Sequence, residues 1–360
     1  MDVANLHLHT TARRRPSLAA LHVQPLPATA IGVARDGRFA SEPQLVQGAA
    51  ESWRANQRWR SPDSLCEHYG NMRFAVSSGV QMTLKDYLEY ASRADCDFPM
   101  YLVETRFAGE ARVLLEDYAP PAGFADELAE IPGTRSPPHW FVGGRRTGSL
   151  MHQDTRCSAG WNVCTFGAKR WCMLPPETDV MALGLEPYGE GPACWFADHL
   201  PALQAAAADG RLRLFECIQR AGDLVYVPAG WHHAVVNLEV SCAIAHTVIT
   251  PSTLPAAWPY LRSHWPAFAH SLVDLLRHSR RPELAAALNQ AARSDAATVV
   301  ARGEAALRGS AAASNAVHEH NRLSLNWKPF HPAVRSATPS ALPASELATA
   351  PPSAPPPPPP

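Results

Sequence analysis

The sequence predicts a mainly β fold, closed or sandwiched, with helices at its flanks. Three observations predict it. Between Trp140 and Ala245, short apolar runs rich in β-branched and aromatic residues are punctuated by Gly and Pro. Helical spacing is confined to either side, at Leu84, Tyr87, Leu88 and Ala91 and again from Leu272 onward. Within the strand-rich stretch stand His152, Asp154 and His233, a set that neighbouring strands can bring together.

The elements follow in chain order. Residues 1–50 read as a separate leader, disordered or targeting. No acidic residue falls between Val3 and Arg35, and Arg13-Arg14-Arg15 with nearby Ser, Thr and Ala has the composition of an organelle transit peptide. Three arginines are too few to specify nuclear import. A folded domain is expected over 51–290, with its core at 139–251 and a helical extension at 252–290. Trp53, Trp59, Tyr69 and Phe74 are expected to pack on that core. Thr83 caps a helix, and Asp86 sits in its first turn, where the helix dipole favours a negative charge. Pro-rich loops follow Leu114–Tyr118. Trp140 to Gly144 leads into a polar loop at Arg145–Ser149. Trp161–Phe166 and Lys169–Leu174 form a hairpin about Gly167-Ala168.

Asp179–Arg213 is an insertion with Trp195-Phe196 and an Ala-rich stretch, either lining a substrate entrance or forming a surface excursion. Gly222-Asp223 opens the strand Leu224–Val227, which Pro228-Ala229-Gly230 closes. Ala234–Leu238 and Cys242–Ala245 are strands again. Helices are expected at Leu272, Leu275 and Leu276 and from Pro282 through Leu284 and Leu288, beside the core or as a dimer contact. Residues 291–328 form a helical or loop extension, where His318-Glu319-His320 lies on a polar tail that argues against a metal site. The tail 329–360 is dominated by Pro, Ala and Ser, ends in six prolines, and offers polyproline II stretches to SH3- or WW-type partners.

Composition narrows the function. The chain has 360 residues and a net charge of −1, which argues against charge-driven nucleic-acid binding. Eight cysteines stand without a Cys-x-x-Cys pair, so neither a zinc ribbon nor a disulfide framework is indicated. A reducing compartment, nucleus or cytoplasm, fits best, with organelle import left open by the leader. No apolar run reaches membrane-spanning length.

The chemistry rests on few residues. Side chains two apart on a strand share a face, so His152 and Asp154 can grip one ion together. A histidine from another strand makes two histidines and a carboxylate, the set that holds Fe(II) with open positions in non-haem oxygenases. Both His232 and His233 are available, and spacing does not separate them. Lys169 lies among Phe166, Trp171, Cys172 and Met173. It is either a hairpin-tip lysine that snorkels to water or a cation awaiting an anionic ligand.

Read together, His139-Trp140-Phe141-Val142, Gly148 to Asp154, Trp161-Asn162-Val163, Lys169-Arg170-Trp171-Cys172 and Val225 to Leu238 resemble a JmjC-domain oxygenase. The similarity is greatest to the JMJD6-like subgroup, which includes protein lysyl hydroxylases and was also described as arginine demethylases. It extends from about Trp53 to about Leu288. The resemblance implies a double-stranded β-helix, the cupin-like jelly roll, with Fe(II) and 2-oxoglutarate as cofactors. It assigns the iron to His152, Asp154 and His233. It places Lys169 and Tyr101 on the far carboxylate of 2-oxoglutarate and Asn162 in the wall of that pocket. The subgroup's threonine twelve residues after the second histidine is Ala245 here, and Thr247 is expected to restore the hydroxyl. A lysyl or arginyl side chain of a protein or peptide is the implied substrate. Two rivals stand beside this reading: a JmjC-like scaffold without activity, and a zinc or manganese cupin that has no need of Lys169.

Overall fold

The computed structural model describes residues 33–34, 40–121, 123–124, 127–128, 130–185 and 191–291. The strands are β1 (Val33–Ala34), β2 (Gln44–Val46), β3 (Arg73–Ala75), β4 (Gln81–Thr83), β5 (Tyr101–Glu104), β6 (His139–Gly143) and β7 (Gly148–Gln153). They continue with β8 (Ala159–Phe166), β9 (Ala168–Leu174), β10 (Phe215–Arg220), β11 (Leu224–Val227), β12 (His232–Asn237) and β13 (Ser241–Val248). The helices are α1 (Ala55–Arg58), α2 (Pro62–Tyr69), α3 (Leu84–Arg93), α4 (Pro192–Ala208), α5 (Leu254–His264), α6 (Pro266–Arg277) and α7 (282–291).

Two sheets make the framework, one ordered β1-β2-β11-β8-β13-β6-β5 and the other β10-β9-β12-β7. Apart from the short β1–β2 pair, the ladders are antiparallel. This is the cupin-like jelly roll, with helices outside both sheets. Strand alternation sorts the side chains into three layers. Leu45, Trp171, Met173, Val225, Val227 and Val235 fill the space between the sheets. Trp140, Trp161, Val163 and Tyr226 point outward from the larger sheet and pack on Trp59, Leu65, Tyr87 and Leu88. Cys172, Leu174, Ala234 and Val236 point outward from the smaller sheet and pack on Trp195, Phe196 and Leu200 of α4. The fully buried pair Arg170–Glu216, at 2.7 Å, helps to fix α4, because Gln204 on that helix donates to the second oxygen of Glu216.

The α3 expectation is met in detail: the Thr83 hydroxyl accepts from the Asp86 N–H, and Leu84, Tyr87, Leu88 and Ala91 are its buried face. The insertion 179–213 forms α4, which lies against the outer face of the smaller sheet. Trp258, Leu261, Leu272, Leu276 and Leu288 join Leu128, Ile131 and Ile249 in a separate helical cluster.

Two strands differ from the sequence reading. Residues 44–46, assigned there to the leader, form a strand on the edge of β11, and Leu45 reaches the layer between the sheets. Three residues carry too little periodicity to mark a strand; the open edge of β11 recruits them. Strand β10 was not expected, because its buried Glu216 and Gln219 conceal the apolar alternation. The Arg13-Arg14-Arg15 leader, His318-Glu319-His320 and the proline tail lie outside the described residues. Among the described residues no helix is long and apolar enough to cross a membrane.

Candidate active site

The register of two strands decides between the histidines. On β12 and β7, His233 is the direct partner of His152, and His232 is the partner of Gln153. Directly opposed residues share a face, so His233 joins His152 between the sheets and His232 turns outward. There Gln153 Nε2 approaches His232 Nε2 at 3.3 Å and donates to the Gly230 carbonyl at 2.6 Å. Asp154 follows the end of β7 on the face of His152. The ligand atoms of His152, Asp154 and His233 all lie within 4.8 Å of one another. The ladder shifts by one residue between His233 and Val235, a bulge of the kind that re-aims side chains beside active sites.

The hydrogen bonds prepare these imidazoles for a cation. His152 Nδ1 lies 2.7 Å from the Leu150 carbonyl, and His233 Nδ1 lies 3.3 Å from the Trp231 carbonyl. A carbonyl only accepts, so each Nδ1 carries the proton and each Nε2 keeps a lone pair for a metal. Burial holds His233 neutral by lowering its pKa well below the ordinary value. Burial also raises the pKa of Asp154, with His152 opposing, so the carboxylate gains from a cation that restores its lost solvation. These donors fit Fe(II) with positions left open.

Lys169 is 2% exposed, so it is not a snorkelling hairpin residue. It faces the layer between the sheets, four residues along β12 from the level of His233, roughly 13 Å. Its Nζ donates to Asn237 Oδ1 at 2.7 Å. Asn237 Nδ2 donates in turn to the Thr147 hydroxyl at 2.7 Å, which donates to the Gly144 carbonyl at 2.6 Å. Among the described residues no carboxylate pairs with Lys169. Burial lowers its pKa, and a neutral amide does little to offset that cost. The site therefore fits an anion delivered from outside.

Tyr101 borders the same place. It pairs with Gly143, and a methyl built on Gly143 would lie 2.6 Å from both Asn237 Nδ2 and Tyr101 Cε2. Asn237 and Thr147 are the residues that the sequence reading did not assign; for Asn237 the available signal was a polar residue inside the apolar run Ala234–Leu238. Gly143→Ala is expected to crowd this pocket and raise the 2-oxoglutarate requirement more than tenfold without weakening metal binding. Cosubstrate titration of the variant, with anaerobic Fe(II) titration beside it, checks this.

Asn162 and Ala245 are direct partners on β8 and β13. Thr247 shares their face, but its partner is Gly160, and a methyl on Gly160 would lie 2.9 Å from Asp154 Oδ2 and 3.4 Å from Thr247 Cγ2. Thr247 thus stands at the metal end, two residues farther than Ala245 from the level of Lys169. The expectation that it replaces the missing hydroxyl at the far carboxylate is corrected by this placement: the strand advances in the wrong direction.

The chain is 32% identical over 232 residues to the arginine-specific demethylase JMJ22 of Arabidopsis thaliana, spanning 62% of this chain and 45% of that protein. It is 29% identical over 265 residues to the bifunctional arginine demethylase and lysyl-hydroxylase psr-1 of Caenorhabditis elegans, spanning 69% and 66%. It is 27% identical over 259 residues to the 2-oxoglutarate and iron-dependent oxygenase JMJD4 of Mus musculus, spanning 62% and 59%. It therefore covers less than two thirds of each relative's length. The family model for the Cupin-like domain matches residues 33–248, which includes both sheets and every residue of the site described above but none of the helices α5–α7, and the chain belongs to that family.

Proposed function

We propose that this protein is an Fe(II)- and 2-oxoglutarate-dependent oxygenase that hydroxylates, or by hydroxylation demethylates, a lysyl or arginyl side chain of a protein. The observation that carries the reading is the pairing of a two-histidine, one-carboxylate set with a buried lysine that has no carboxylate partner among the described residues, both facing the space between the sheets. When bound, iron and 2-oxoglutarate supply the oxidation: one atom of O2 enters the substrate, the other enters succinate, and CO2 leaves. The chain supplies placement. His152, Asp154 and His233 would hold the metal, three protein ligands where more positions are needed for cosubstrate and oxygen. Lys169 and Tyr101 fix the far carboxylate, and the apolar wall of Trp171, Met173 and Val235 excludes water. The names of JMJ22 and psr-1 support arginyl or lysyl substrates.

The test is succinate release by the full chain with Fe(II), 2-oxoglutarate and a library of Lys- and Arg-containing peptides, methylated and not. A gain of one oxygen on a peptide indicates hydroxylation, and loss of a methyl as formaldehyde indicates demethylation. Failure to bind 2-oxoglutarate with Fe(II) present would overturn the reading and favour a scaffold.

A further inference from the structure

Gln219 lies on β10, is fully buried, and makes four hydrogen-bond contacts, the two N–H groups of its Nε2 being shared among three oxygens. Its Oε1 accepts from the Trp171 indole N–H at 2.9 Å. Its Nε2 lies 2.8 Å from the Asn162 carbonyl, 3.0 Å from the Asp223 carbonyl and 3.2 Å from Asn162 Oδ1. Three of these partners admit no alternative. An indole N–H only donates and a backbone carbonyl only accepts, so the Gln219 amide has one possible orientation. Its NH2 group is therefore the donor that faces the Asn162 side chain, and the Asn162 atom beside it must be the oxygen. That leaves Asn162 Nδ2 directed away from Gln219, with no acceptor in hydrogen-bond reach among the described residues.

We propose that Gln219, oriented by the Trp171 indole, is a positioning residue that turns the Asn162 amide so that Nδ2 presents N–H donors to the cosubstrate. This rests on the reading of the pocket as a 2-oxoglutarate site. The advantage is specific to an anion. An unrestrained amide presents oxygen or nitrogen with similar ease, and oxygen would repel a carboxylate. The same Trp171 ring stacks against His233, with centroids 6.0 Å apart and planes 24° from parallel. One indole thus contacts a metal ligand with its face and sets the cosubstrate amide with its N–H.

The experiment measures the 2-oxoglutarate KM, kcat at saturation and anaerobic Fe(II) affinity for wild type, Asn162→Asp, Asn162→Ala, Gln219→Met, Trp171→Phe and the double variant Trp171→Phe/Gln219→Met. Trp171→Phe keeps an aromatic ring beside His233 and removes the N–H, so it remains informative if Gln219→Met folds poorly. Asn162→Ala, Gln219→Met and Trp171→Phe are each expected to raise KM about tenfold, the loss of one hydrogen bond to a charged group, with kcat lowered far less than KM is raised and iron still bound. Asn162→Asp is expected to exceed Asn162→Ala, because it places oxygen where the proposal places N–H. The double variant should be no worse than Gln219→Met, since the indole N–H acts through Gln219. Unchanged KM in Trp171→Phe and Gln219→Met, additive effects in the double variant, or Asn162→Asp milder than Asn162→Ala would overturn the proposal while leaving the oxygenase reading intact. A wild-type protein that binds no 2-oxoglutarate would overturn both.

Discussion

His233→Ala is expected to lower Fe(II) affinity by more than about a hundredfold and to abolish turnover, whereas His232→Ala leaves iron affinity within a few fold of wild type. Outer hydrogen-bond partners of metal ligands cost 10–100-fold when removed, so loss of one of only three protein ligands exceeds that range. His152→Ala and Asp154→Ala should match His233→Ala. The contrast between neighbouring histidines follows from register alone: His233 opposes His152, and His232 opposes Gln153. His232 has other work, with burial lowering its pKa to about 4 and Gln153 beside its Nε2. Anaerobic titration with Fe(II) on the folded variants decides the matter. Loss of binding in His232→Ala with retention in His233→Ala would move the assigned ligand by one residue.

The sequence made two of the three metal ligands legible because their spacing is short. His152 and Asp154 are two apart, which on a strand means one face. Choosing between His232 and His233 required a pairing partner some eighty residues away, and local spacing does not carry register. The core strands were legible because both of their faces are buried, so β8, β11 and the end of β9 read as largely apolar runs. Strand β10 was not, because Glu216 and Gln219 occupy buried positions by satisfying Arg170, Trp171 and Asn162. Such polar groups are invisible as strand signals until their partners are known. Thr247 failed for a related reason. Alternation gave its face correctly, but the level along the strand comes from Gly160 and Asp154.

Lys169→Met is expected to raise the 2-oxoglutarate requirement at least thirtyfold, to leave Fe(II) binding nearly intact, and not to lower the stability of the cofactor-free protein. The opposite directions are the point. Methionine has a similar reach and no charge, so it removes a buried ammonium whose described partner is only the Asn237 amide. Replacing a poorly compensated buried charge with an apolar chain is neutral or stabilising in the free protein, against about 1 kcal/mol for the hydrogen bond lost at Asn237. With cosubstrate bound the balance reverses. A far carboxylate without its cation is left buried and unpaired, which costs roughly 2–5 kcal/mol. A lysine retained for structure would show the other pattern, a lower melting temperature with cosubstrate affinity unchanged. Thermal denaturation of the apo protein and cosubstrate titration of the Fe(II) form measure the two sides. An apparent 2-oxoglutarate affinity within twofold of wild type would remove Lys169 from the site and return the zinc or manganese cupin as the better account of the three metal ligands.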